Sequence, residues 1–264
     1  MQDLSLSLIQ SSTHWHNADA NLAMFEEKIW ALEEKVDIIL LPEMFTTGFS
    51  MDVEQLAEPM NFKTQRWMVQ MATQTGSVIA GSVIIKDKKH FYNRLLWVQP
   101  DGSVQHYDKR HLFRMADEHG PFDGGTDRLI IDYKGWKICP LICYDLRFPV
   151  WARNQHQGDG QLDYDLLLYI ANWPAARVGA WDILLQARAV ENHCYVAGLN
   201  RTGEDGKGIH YNGHSKVVDA KGQHLLDLGE ADTAGTVTLS GKDLLAYREK
   251  FPAWMDGDRF TIQH

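Results

Sequence analysis

Cysteine is scarce: only Cys139, Cys143 and Cys194 occur in 264 residues. So sparse and odd a set suits a reducing compartment and not a disulfide framework. Long apolar runs are missing as well. The longest, such as "VDIILLP" and "YDLLLYIA", are far too short to cross a bilayer. The opening "MQDLSLSLIQ" has no cationic stretch followed by an apolar one, so no secretory leader is expected. Basic runs are absent, and 26 Lys and Arg against 35 Asp and Glu leave a formal charge of −9. That balance argues against a nucleic-acid binder and against docking on anionic membranes. No repeat, low-complexity tract or Pro/Gly/Ser-rich linker divides the chain. These absences leave a cytoplasmic protein, expected as one domain over residues 1–264 with a sizeable core.

What is present alternates strands with helices. "LSLSLIQ" has the period-two pattern of a strand, and Asn17 or Asp19 can cap a helix with Leu22, Phe25, Ile29 and Leu32 at helical spacing. "VDIILLP" reads as a buried strand stopped by Pro42, and "TQRWMVQMATQT" as a helix. "SVIAGSVIIK", "YNRLLWVQ" and "VQHYDK" read as strands, the last two joined at Pro100-Asp101-Gly102. After a Gly-, Asp- and His-rich loop over 115–127, "WKICPLIC", "YDLLLYIANW" and "CYVAGLN" continue the strands, with "GAWDILLQARAVEN" as a helix. Near the end, "SKVVDAKGQHLLDL" and "GTVTLS" predict a hairpin or meander, then a short closing helix. Continuous apolar strands need cover on both faces, which points to a layered α/β fold with mixed sheets.

Three chemically capable residues share one local context. Glu43 follows "VDIILLP", Lys109 ends "VQHYDK" and Cys143 follows "WKICPLI". Ligands of α/β sheets collect at the carboxyl ends of strands, so the three can face one crevice. A thiol with an ordinary pKa near ~8.5 needs a base or a helix N-terminus to activate it. A helix starting at or just after Asp145 would supply the second, and Glu43 the first. Lys109 and the Tyr144 backbone N–H are suited to an oxyanion. Taken singly, each also reads as packing or as a surface charge, since free cysteine is among the most buried residue types.

Taken together, they resemble a family. "LLPEMFTTGF", "YDKRHLF" and "ICPLICYDLRFPVWAR" resemble the glutamate, lysine and cysteine motifs of the nitrilase superfamily, the carbon–nitrogen hydrolases. Order and separation fit too, with 66 residues from Glu43 to Lys109 and 34 from Lys109 to Cys143. The resemblance implies an α-β-β-α sandwich, usually paired through helices into a homodimer, with no metal or organic cofactor. By motif position it implies Glu43 as general base, Lys109 as oxyanion stabiliser and Cys143 as a nucleophile forming a thioester. Glu118 in "MADEHGPF" resembles the second glutamate of the family, an orienting partner for Lys109 or an aid to proton movement, a solvated loop acid being the other reading.

Tyr-Asp after the cysteine looks like the amidase branches. "RMADEH" with "YIANWPAARVGAW" looks closest to omega-amidases, which remove ammonia from 2-oxoglutaramate or 2-oxosuccinamate. Arg147 suits the substrate carboxylate, against a structural salt bridge with an acid such as Asp145. Asn172 and Trp173 are expected to line the pocket, core packing being the other reading of Trp173. The rival activities are N-carbamoyl amide and nitrile hydrolysis; from another class, the rival is an idle binding protein with Cys143 as a redox-sensitive thiol. The pairs His14/His16 and His210/His214 have no ready third ligand, so no metal is expected there. Gly203, Gly206 and Gly208 lack the lysine-serine ending of a phosphate loop and read as a turn.

Overall fold

The computed structural model describes residues 1–156 and 161–262. A first sheet contains β1 (Leu4–Gln10), β2 (Ile38–Leu40), β3 (Glu58–Pro59), β4 (Val78–Asp87), β5 (His90–Val98) and β6 (Val104–Asp108). A second contains β7 (Ile131–Tyr133), β8 (Trp136–Ile142), β9 (Leu166–Ala171) and β10 (Tyr195–Asn200), with β13 (Lys216–Val218) and β14 (His224–Asp227) at its far edge. Between β10 and β13, a two-stranded ribbon pairs β11 (Thr202–Glu204) with β12 (His210–Asn212). The last strand, β15 (Thr233–Leu239), returns to the first sheet beside β1. The sheets have the same plan: β1, β2 and β4 run parallel in one, β8, β9 and β10 in the other, and antiparallel strands flank each set.

Period-two patterning sorts the side chains into layers, because successive strand residues point to opposite faces. Leu4, Leu6 and Leu8, Ile38 and Leu40, and Val78 and Ala80 enter the core shared with the second sheet. Their neighbours Ile9, Ile39, Leu41 and Ile79 face the other way, against α1 (Ala18–Trp30) and α3 (Lys63–Thr75). There they meet Leu22, Phe25 and Ile29 of α1 and Met68, Met71 and Ala72 of α3. Asn17 is the cap of α1, accepting from the Ala20 N–H at 3.1 Å. The turn α2 (Val53–Leu56) lies between these helices in sequence, and α4 (Pro149–Ala152) follows the cysteine motif.

On the far side α5 (Val178–Asn192) lies on β10, where Gly198 allows a close approach. A Cβ at Gly198 would stand 2.5 Å from a Leu185 methyl and 2.9 Å from the Trp181 ring. The layers are therefore helix, sheet, sheet, helix, as the resemblance implied, closed by α6 (Gly241–Lys250). One topological expectation fails. "GTVTLS" does not continue a meander with the preceding hairpin but crosses to pair along all of β1. Among the described residues, no helix is long and apolar enough to cross a membrane.

Candidate active site

Strand ends from both sheets converge where they were expected to. Glu43 lies three residues past β2, Lys109 immediately past β6 and Cys143 immediately past β8. Lys109 Nζ donates to Glu43 Oε1 at 2.8 Å and to both oxygens of Glu118 at 2.9 Å. All three side chains are fully buried. Each buried carboxylate has the ammonium as partner, as burial demands of charge, but one cation serves two acids.

The local backbone explains how each group is held. Glu43 Oε2 accepts from the Asn172 N–H at 2.8 Å, and the Asn172 side-chain amide donates to Glu43 O at 2.7 Å. Asn172 follows β9, so this pair ties the two sheets together at the site. Glu118 Oε2 accepts from the Phe113 N–H at 2.5 Å. Its loop returns to Lys109 O through the Gly125 N–H at 2.9 Å. A Cβ at Gly125 would stand 2.2 Å from Asp108 O, so only glycine lets the loop close there.

Cys143 sits in the left-handed region, at φ 45°, where a side chain is normally disfavoured. Such strain turns the residue sharply out of β8 and persists only where neighbours fix it. Asp145 does the fixing. Its Oδ2 accepts from the Ile142 N–H at 3.1 Å and from the Tyr107 hydroxyl at 2.8 Å. Its Oδ1 accepts from the His111 N–H at 3.0 Å and lies 2.8 Å from His111 Nδ1. The strand end bearing Cys143 and the loop after Lys109 are thus locked to one carboxylate.

The expected activation by a helix N-terminus is not what the fold provides. Residues Cys143–Arg147 wind as a short 3₁₀ turn, and α4 is only four residues long. Burial pushes the Cys143 thiol well above its ordinary range; Glu43 pushes the same way, and Lys109 opposes them. Burial alone would depress the Lys109 pKa, but Glu118 and Glu43 outweigh it and hold the ammonium charged. Burial raises Glu118, Lys109 opposing. Burial thus favours the neutral form of the Cys143 thiol, with the Glu43 carboxylate beside it.

Cys143 opens onto a cavity of about 520 Å³, whose walls include Phe49, Phe113, Tyr144, Asn172, Trp173 and Tyr211. Arg147, Arg177, Lys207 and His210 also line it. Among the described residues, the one acid in the lining, Asp205, is already committed. It accepts from the Lys207 and Ile209 N–H groups and from the Tyr211 hydroxyl. A chain of net charge −9 thus presents a cationic mouth, which concentrates anions.

Arg147 makes no ion pair with Asp145, which His111 and Tyr107 occupy; its guanidinium lies over the Trp173 ring at 4.9 Å. Trp173 is at once core and wall: it is 3% exposed and its N–H donates to Asn200 Oδ1 at 2.7 Å. Tyr144 lines the cavity with its ring edge-on to Phe113. The glycine-rich stretch is the ribbon turn whose residues 205–211 supply one wall. His16 bonds Ser50 Oγ at 2.8 Å and His214 faces Asp182 at 3.2 Å. Asn93, absent from the expectations, sits on β5 in contact with both carboxylates. Its signal was available: a lone amide in the apolar run "FYNRLLWV" needs a buried partner.

Comparison with known proteins follows the same lines. The carbon–nitrogen hydrolase family profile matches residues 5–247. The chain is 46% identical over 266 residues to a protein named omega-amidase YafV of Escherichia coli (strain K12), covering 99% of this chain and 100% of that one. It is 31% identical over 255 residues to a 2-oxoglutaramate amidase of Bacillus subtilis (strain 168), covering 96% of each. The crystal structure of XC1258 from Xanthomonas campestris, a CN-hydrolase superfamily protein with an arsenic adduct in its active site, superposes with a TM-score of 0.97. That protein shares 45% identity, and the match covers 100% of both chains.

Proposed function

This chain belongs to the carbon–nitrogen hydrolase family, and on that premise we propose that it is an omega-amidase releasing ammonia from a small 2-oxo dicarboxylate monoamide such as 2-oxoglutaramate. The observation that carries the reading is the cationic, aromatic cavity ending at Cys143 beside the Glu43–Lys109–Glu118 cluster. An omega-amide with a carboxylate at its other end matches a buried reaction centre below a positive mouth.

In the proposed cycle Cys143 attacks the amide carbon while Glu43 takes the thiol proton, so no free thiolate has to exist in the buried site. The oxyanion is held between the Lys109 ammonium and the Tyr144 N–H. Glu43 then gives its proton to the departing nitrogen, and ammonia leaves a thioester on Cys143. Water, deprotonated by Glu43, attacks the thioester carbon and releases the acid, and the thiol recovers its proton. Glu118 orients Lys109 throughout. Asn172 and Trp173 shape the pocket around the amide.

Arg147, with no acid partner among the described residues and braced on Trp173, reads the substrate carboxylate in this scheme. Losing a charge-assisted hydrogen bond costs roughly 1.5–3 kcal/mol. Arg147→Met is therefore expected to raise KM for 2-oxoglutaramate about 10–100-fold, with a neutral short amide little affected. Ammonia release from 2-oxoglutaramate, N-carbamoyl-β-alanine and a simple nitrile, in wild type and variant, checks this. Preference for either of the last two would overturn the substrate assignment, and equal loss on charged and neutral amides would remove Arg147 from it.

We also propose that the protein, folded as one domain, pairs as a homodimer through α5. Its outer face leaves Ile183 69% and Val190 45% exposed, with Ala187 between them on the same stripe, a pattern that marks an interaction face. Ile183→Glu is expected to convert a dimer to a monomer in sedimentation. A wild type that sediments as a monomer at micromolar concentration would dispose of the pairing.

A further inference from the structure

Asn93 is fully buried in the middle of β5 and touches three of the groups that make the site. Its side-chain amide donates to Glu43 Oε1 at 2.7 Å and to Glu118 Oε1 at 3.3 Å. Its main-chain carbonyl accepts from the Lys109 N–H at 3.0 Å. Glu43 Oε1 and Glu118 Oε1 are also the oxygens that Lys109 Nζ reaches. Two carboxylates therefore share two donors, one charged and one neutral.

The geometry points to Asn93 as a positioning residue that holds the Glu43 carboxylate aimed for proton transfer, by donating to it while sharing that donation with Glu118. This inference rests on the reading of Glu43 as the base. The physical reason is an imbalance of charge. One ammonium faces two buried carboxylates, so the cluster lacks a positive charge and tends to take up a proton. A neutral donor at 2.7 Å stabilises the ionised carboxylate without adding a charge that would also pull on the thiol. A second lysine there would neutralise the cluster and weaken the base. Asparagine favours ionisation and leaves Glu43 able to accept the proton from Cys143.

The groups facing Glu43 come from several elements. They are Lys109 beyond β6, Glu118 from the following loop, Cys143 beyond β8 and Tyr211 on β12. Among the described residues Asn93 contributes from β5, as an uncharged side-chain donor to Glu43 Oε1 beside the charged Lys109. Its amide oxygen has no hydrogen-bond partner among them. The NH₂ must face Glu43, because the reverse orientation would set two acceptors against each other at 2.7 Å.

The test is the pH dependence of kcat/KM on 2-oxoglutaramate for wild type, Asn93→Leu and Asn93→Asp. Asn93→Leu keeps the volume and removes the donor. Its acidic limb is expected to move up by about one pH unit, a roughly tenfold deficit below the limb. Asn93→Asp places a third carboxylate against the other two, and its limb is expected to move further. If Asn93→Leu does not fold, the isosteric Asn93→Asp decides. The pH dependence of Cys143 alkylation by iodoacetamide provides a second readout that needs no turnover, and it is expected to move with the limb.

A folded variant whose limb superposes on wild type, even with lower kcat at every pH, would reduce Asn93 to a structural role. Glu43→Gln is run alongside. If Glu43→Gln is inactive while the Asn93 limb stays put, the Asn93 inference alone falls. If Glu43→Gln keeps its turnover, the base assignment falls and takes the inference with it.

Discussion

Cys143→Ala is expected to lose 2-oxoglutaramate turnover by about 10⁴–10⁶-fold, the scale seen when a covalent nucleophile is removed. Nothing else in the cavity can replace it. Cys139 and Cys194 are also buried, and burial raises both, Cys139 to about 12. Neither of them lines the cavity. The loss should come without loss of fold, and a stability measurement makes the prediction sharper than an activity assay alone. Cys143 is held at φ 45°, a conformation that costs a non-glycine residue roughly 1–2 kcal/mol. Cys143→Gly relieves that strain, so its urea midpoint is expected to match or exceed wild type although it has no activity. Cys143→Ala keeps the strain, loses only a sulfur that borders the cavity, and should lie close to wild type. Retained turnover in either variant would end the thioester mechanism. A large loss of stability in the glycine variant would show that the left-handed turn is not strained.

The sequence made the site legible where a polar group closes a buried run. Glu43 and Cys143 stand at such a boundary, Lys109 ends a half-buried strand, and strand ends are where a layered α/β fold gathers its chemistry. Helix faces were legible for the same reason: α1 buries Leu22, Phe25 and Ile29 as their spacing requires. What stayed hidden depends on distance in sequence. The partner of Arg147 could not be read because Asp145, two residues away, is claimed by His111 and Tyr107 from another loop. β15 looked like the third strand of a local meander because adjacency in sequence is the commonest guide to pairing. Its partner is β1, at the opposite end of the chain. Asn93 carries little local signal because its two acceptors lie 50 and 25 residues away. Cys143 gains no helix N-terminus because a single 3₁₀ turn and a four-residue helix are too short to supply one, which leaves burial in control of the thiol.

Lys109→Met should be the most damaging single substitution for stability and should also abolish turnover. Methionine fills the space of the lysine stem but leaves Glu43 and Glu118 buried without a counter-charge. Removing one partner of a buried pair costs about 3–5 kcal/mol, and here one cation serves two acids. The pH dependence separates this cause from poor packing. In the variant both carboxylates face burial and each other, which raise the folded-state pKa of a carboxyl above its unfolded value near ~4.3. A raised pKa means that the folded chain holds protons the unfolded chain releases. Stability is then fully present below ~4.3 and falls as pH climbs toward the raised folded values. In wild type Lys109 opposes that rise at Glu118 and spans both acids at 2.8–2.9 Å, so a smaller fall is expected there. The melting temperatures of wild type and Lys109→Met should therefore lie closest near pH 5 and separate steadily toward pH 8. Glu118→Gln in the Lys109→Met background removes one of the two stranded charges and should recover part of the gap at pH 8. A gap that is the same at every pH would mean that lost packing, and not stranded charge, is what Lys109 prevents.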